Sequence, residues 1–375
     1  MRSFYIRLTL RALLCLVPIV SCWGWANHHI ITRTSLMAVP DLQTKTVVFE
    51  RLDVKKVLKG LNLNSIQELC EKLQIKKQYR FETRIGETPG QPVLLLEVLA
   101  KYSDEPDWGM DRELFEEDQY PELYGIDIAL MGGKKGTASQ FFRHAYLPFD
   151  LLSPVLSLKA PYIFSSMGAA PSRGALFVKL SQLAKQNNSP YWAARFLGCS
   201  LHYVADVSQP FHTTQTPTKQ YLWKSLPALL GGNIVHTITK VISYYHWAYE
   251  RAIGAILDGR IGTSEQQVRF LNALKNPSKD GDFNYKGMNA AVKKTAQYAL
   301  RNSGVSGKES ILFFPEIPGS IVDFNPIKFM DENWWRDVDK RFKKQSPVLD
   351  HYLNTVEAQF QYLGAVIRTV TREEL

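Results

Sequence analysis

Three residues that can ligate a metal fall within eleven positions of one another: His202, Asp206 and His212, in Gly198-Cys-Ser-Leu-His-Tyr-Val-Ala-Asp-Val-Ser-Gln-Pro-Phe-His212. A second pair, His246 and Glu250, follows 34 residues after His212. On an α-helix, residues four apart lie on one face, one turn from each other. Two such pairs on two helices can therefore address one cavity, and imidazole with carboxylate is a donor set that suits zinc. Pro210 carries no amide hydrogen, so the first helix must stop there, and His212 can turn in from the loop. An i,i+4 His–acid pair is by itself often only a satisfied core or surface pair. The chemistry is carried by both pairs occurring together with His212 at a helix end.

The elements that must hold these residues read as helices. The patterns run over His28–Ala38, about Val57–Leu73, Gln91–Tyr102, Gly174–Gln186, Pro190–Asp206, Thr237–Asp258, Ser264–Lys275, Met288–Arg301 and Pro347–Arg372. Ser189 before Pro190 predicts an N-cap with proline at the first helical position. Residues 305–345, rich in Pro, Gly and aromatics, read as irregular. The expected fold is all-α. Gly132-Gly-Lys-Lys-Gly136 lacks the strand-to-helix setting of a phosphate loop and reads as a surface loop.

The chain has 375 residues, 45% apolar and 22% charged, an ordinary globular composition. Residues 1–22 read as a secretory signal. Arg2, Arg7 and Arg11 form its basic part, and the apolar run Ala12–Val20 is too short to span a bilayer. Cleavage after Cys22 would leave one domain, residues 23–375, exported without a transmembrane segment. Ile19-Val-Ser-Cys22 also resembles a lipobox, which would anchor Cys22 to lipid instead. Loss of three arginines and no acids lowers the net charge from +9 to +6. The basic clusters at 76–80 and 340–344 are ordinarily solvated faces, and they are also compatible with lipid or nucleic acid. Cys70 and Cys199 permit one disulfide in an exported protein, though Cys199, three before His202, reads as core packing.

These residues carry a resemblance. The mature N-terminal Trp23 with His28 shortly after, the His-x3-Asp-x5-His segment and the His-x3-Glu segment resemble the bacterial zinc-dependent phospholipases C. They also resemble the single-strand-specific zinc nucleases, which share that fold. The resemblance implies a helical fold around three zinc ions. One ion would be held by Asp107, His144, His202 and Asp206. Another would be held by His212, His246 and Glu250. The third would be held by the α-amine and carbonyl of Trp23, by His28 and by Asp206 as a bridge. Asp104 competes with Asp107, and the 37-residue separation of Asp107 from His144 is long for the family. Residues 40–100 look like an insertion. His29, His236 and His351 read as ordinary polar or packing residues.

A zinc cluster of this kind suits phosphodiester hydrolysis by activated water, with Asp107 available as general base. The favoured expectation is a phospholipase C acting on phosphatidylcholine-like lipid at a membrane surface. Glu250 in place of the nucleases' usual Asp supports it, and Trp108 could form a cation–π wall for a quaternary amine. The competing expectation is a secreted single-strand nuclease with 3′-nucleotidase activity. The positive charge, the aromatics and the Trp23–His28 spacing support that reading. A zinc-stabilised surface-binding protein without turnover is the non-enzymatic alternative. The apolar segment Tyr221–Gly232, with Trp223 and Leu226, reads either as a core helix or as a lip touching the bilayer. The expected mature residue is Trp23. Intact mass and N-terminal sequencing check it, and a lipidated Cys22 on active protein would remove the α-amine from the ligand set.

Overall fold

The computed structural model describes residues 27–60, 88–107, 143–148, 166, 168–214, 217–218, 220–221, 234–317 and 329–375. Among these the fold is helical, as the sequence predicts, with one small antiparallel pair of strands besides. Trp23, Trp108, Cys70, the 132–136 glycine run and nearly all of the 221–232 segment lie outside the described residues.

The centre is α5, Pro190–Ser208, in which every residue from Tyr191 to Ser208 is buried. It packs against α3 (Leu95–Tyr102), α4 (Ala170–Gln186), α8 (Met288–Phe313), α10 (Pro347–Glu374) and α1 (His28–Leu36). A helix enclosed on all sides must satisfy its own polar side chains internally. Its buried polar groups, Arg195, Ser200, His202 and Asp206, are therefore the groups to account for. The second deep helix, α6 (Ile234–Leu257), is buried from Val241 to Leu257 except at Arg251. It carries His246 and Glu250 one turn apart.

Gly198 sets how closely α3 and α5 approach. A β-carbon there would lie 2.6 Å from the Leu99 carbonyl oxygen of α3. Only hydrogen fits in that space, and the missing side chain brings the end of α3 against the polar face of α5. Arg368 of α10 ties distant elements together. It is fully buried and donates to Asp280 and to the carbonyl oxygens of Leu274, Asn276 and Ser35. That bond to Ser35 couples α10 to α1.

Several elements differ from expectation. Gln91–Tyr102 is not one helix. Pro92–Leu94 is strand β2, antiparallel to β1 (Thr46–Val48), and α3 begins only at Leu95. Pairing with a distant partner overrides the local helical pattern there. The helix from Met288 runs on to Phe313, and Glu332–Lys343 forms α9, so residues 305–345 are not irregular throughout. The stretch Asn302–Ser310 has weak helix propensity, but its small residues are what the packing needs. A β-carbon on Gly307 would meet Pro217 at 2.6 Å, and the Tyr221 hydroxyl donates to the Gly307 carbonyl. Ser189 precedes Pro190 as expected, but its hydroxyl caps nothing. The tight link through left-handed Asn188 is closed by backbone bonds instead: Ser189 N–H donates to Ala184, and Ala193 N–H to Ser189.

Gly198→Ala should lower stability by about 1–3 kcal/mol, because backbone must move to admit the methyl group. Urea unfolding measures it against Gly281→Ala, where the added carbon meets nothing within 4 Å. Equal midpoints for the two variants would mean that the α3–α5 approach is not tight.

Candidate metal centre

Helix geometry puts His202 and Asp206 on one face of α5, and the 3-10 turn Pro210–His212 brings His212 back beside them. The Gln209 side chain holds that turn. Its oxygen accepts from the amides of Phe211 and His212, where the missing proline N–H leaves the backbone open. The His212 carbonyl accepts from Tyr146 N–H, which docks the segment carrying His144.

The turn after α3, Ser103 to Asp107, faces α5. The Ser103 carbonyl lies 2.8 Å from His202 Nδ1. A carbonyl can only accept, so Nδ1 carries the proton and Nε2 is the atom presented to the cluster. The same logic applies to His212, whose Nδ1 lies 3.2 Å from the His144 carbonyl. Asn27, left-handed at φ 71°, precedes α1 and donates to the Gly254 carbonyl and to Asp258 at the end of α6. That anchor places His28 at the cluster.

Three groups converge around His202. Its Nε2 lies 2.9 Å from Asp206 Oδ2, 2.9 Å from His144 Nδ1 and 3.8 Å from Asp107 Oδ1. His144 Nδ1 lies 3.0 Å from Asp206 Oδ2 and 3.5 Å from Asp107 Oδ1. Ligands about 2.05 Å from a tetrahedral ion stand about 3.3 Å apart, within the range of these five separations. His28 Nε2 meets the other Asp206 oxygen, Oδ1, at 3.2 Å, and Asp107 Oδ2 at 3.6 Å. The Asp206 carboxylate thus reaches two neighbouring groups through its two oxygens. His212, His246 and Glu250 form a separate buried cluster, with His246 Nε2 3.6 Å from Glu250 Oε2. Phe211 stacks on the His246 ring at 5.5 Å.

The donors fit metal ions. Both His28 ring nitrogens and Glu250 Oε2 are buried without a hydrogen bond, and both Asp206 oxygens are buried against histidine rings, a costly arrangement for carboxylates unless a cation shares the site. The described residues therefore hold buried His/Asp/Glu clusters capable of binding metal. Asp107 is the most solvent-accessible of these ligands, its side chain 11% exposed.

The electrostatics agree. Burial penalises the Asp206 carboxylate, but His202 and His28 outweigh that and hold it well below its ordinary pKa. Burial likewise disfavours a charge on His202, yet Asp206 and Asp107 raise it to about 9. Burial, with Asp107 and Asp206 nearby, pushes Glu250 well above its usual range, and burial beside His212 pushes His246 well below its own.

Each proposed ligand within the described residues is thus brought to a cluster. Asp104 is not. It accepts from the His29 amide and pairs with the His29 ring at 2.7 Å, so Asp107 is the acid that faces the histidines. His351 has a partner the sequence did not suggest, Glu309 on α8. Cys199 is buried, its thiol donating toward the Tyr102 carbonyl. Sequence reading missed Ser103, Asn27 and the ion pair of Arg195 with Glu105. Arg195 stands seven and eleven residues before His202 and Asp206, on their face of the helix, and that spacing was the available signal. No family model matches the chain, and no curated protein sequence does.

With its pKa at about 9, His202 is protonated at pH 7, and a metal ion needs the neutral ring. Binding of Zn2+ as a probe should therefore release this proton. Affinity at its site should rise by about tenfold per unit between pH 6 and 8. Calorimetry in buffers of different ionisation enthalpy reads the release; flat affinity with no proton released would refute the assignment.

Proposed function

We propose that this chain is an exported zinc-dependent phosphodiesterase of the phospholipase C type, hydrolysing phosphatidylcholine-like lipids to diacylglycerol and a phosphorylated headgroup. The observation that carries the reading is the shared Asp206. One buried carboxylate contacts His28 through one oxygen and His144 and His202 through the other, with a third His/His/Glu cluster close in sequence. That is the ligand arrangement implied by the resemblance to the zinc phospholipases and zinc nucleases. Asp107, His144, His202 and Asp206 would hold one zinc, and His212, His246 and Glu250 another. His28 and Asp206 would hold the third, with Trp23 completing it.

When bound, the zinc ions supply Lewis acidity: they lower the pKa of water and take up negative charge on the phosphoryl oxygens. The chain's own part is to fix the donors. The Ser103 and His144 carbonyls set the tautomers of His202 and His212. Asp107, the ligand nearest solvent, is placed to orient an attacking water and accept its proton. Trp108, next in sequence, is a candidate wall for the choline group by cation–π attraction.

No described helix is long and apolar enough to cross a membrane. The nuclease reading is favoured by the Trp23–His28 spacing and the net positive charge, and one assay separates the two. Purified mature protein should hydrolyse phosphatidylcholine vesicles far faster than single-stranded DNA. A chelator should abolish this, zinc should restore it, and His246→Ala should reduce it to background while lowering bound zinc. Efficient DNA cleavage with inert vesicles would replace the lipid reading by the nuclease one, and bound zinc with neither activity would support a binding protein.

A further inference from the structure

The buried face of α5 carries a cation that the metal ligands do not use. Arg195 is fully buried, as is its partner Glu105. The contact is two-pronged: Nε lies 3.1 Å from Glu105 Oε2, and a terminal nitrogen contacts Oε1. The guanidinium lies over the Tyr102 ring at 3.8 Å and 4.9 Å from the Trp192 ring, and it donates to the Tyr191 hydroxyl. That hydroxyl donates in turn to Tyr102. Tyr102, Ser103, Glu105 and Asp107 belong to a single turn. Its first residue stacks under the guanidinium, its second orients His202, its fourth is clamped by Arg195, and its sixth faces His144 and His202. Arg195, Cys199, His202 and Asp206 form one stripe along α5, within about 60° of one another around the axis. The same helix face that supplies two ligands thus grips the turn that supplies the third.

We propose that the Arg195–Glu105 pair positions Asp107 for metal binding. This rests on the metal-centre reading above. A bidentate guanidinium–carboxylate contact fixes both distance and plane, and a stacked arginine cannot be replaced by lysine without losing both. Glu105 is held two residues before Asp107, with Pro106 restricting the backbone between them. The clamp therefore sets where the Asp107 carboxylate stands relative to α5.

The test uses Arg195→Met, Arg195→Lys, Glu105→Gln and the double variant Arg195→Met/Glu105→Leu. The double variant leaves no buried charge unpaired and so keeps the fold if a single variant loses it. Zinc titration of the metal-free protein, with a competing chelator, should show affinity at the Asp107 site reduced about 10–100-fold. The His212–His246–Glu250 site should keep wild-type affinity. Arg195→Lys should recover only part of the loss. A purely structural role would lower the melting temperature and leave every zinc affinity unchanged, which would overturn the proposal. Crystal structures of metal-free wild type and variants supply an independent readout. Asp107 should move away from His144 and His202, and an unmoved Asp107 would also overturn the proposal. Displacement of Asp107 in a protein whose wild type takes up no zinc would sustain the positioning role and reject the metal centre, so the two failures are told apart.

Discussion

The structure depends on one constraint: Asp206 is a carboxylate buried in the last turn of the central helix, with histidine rings facing both of its oxygens. Burying a carboxylate costs several kcal/mol even after local relaxation, so something cationic must share its site. Around it stand His28, His144 and His202, and beyond them two further acids, Asp107 and Glu250. A protonated His202 answers part of the charge in the metal-free chain. Burial, with Asp107 and Asp206 nearby, drives Glu250 toward its neutral form and leaves that balance incomplete. A divalent cation would complete it.

Everything near the site serves to bring donors from separate parts of the chain to that carboxylate. α1 arrives through Asn27, which grips the end of α6. α3 arrives because Gly198 lets its last turn lie against α5, and the turn that follows is used at nearly every residue. His144 arrives through backbone pairing with the His212 segment. The long helices α8 and α10 hold these pieces by shape, with small residues where neighbours come close and buried Arg368 joining loop, helix end and α1. Stability and site geometry are therefore linked. A substitution that loosens α3 from α5 displaces donors before it unfolds the core.

Part of this was legible in the sequence because it is local. The pairs His202/Asp206 and His246/Glu250 follow from helix periodicity, and the stop at Pro210 follows from a missing amide. The acid near residue 105 could not be chosen locally. Asp104 and Asp107 differ by three positions in a turn, and only the pairing of Asp104 with His29 separates them. The strand at Pro92–Leu94 and the continuation of α8 through Gly304 and Gly307 were not legible for a related reason. In both, a partner remote in sequence overrides a weak or contrary local preference. Arg195 lay in plain view at helical spacing from the ligands, but a charge on an apolar helix reveals its role only when Glu105 is seen opposite.

Where cations bind decides whether these buried clusters are a metal centre. Crystals grown with zinc and measured on both sides of the zinc absorption edge give the most direct answer. Anomalous peaks are predicted at three places: between Asp107, His144, His202 and Asp206, between His28 and Asp206, and between His212, His246 and Glu250. Absence of peaks at these places under saturating zinc, with Asp206 compensated by protonated histidines alone, would contradict a metal centre.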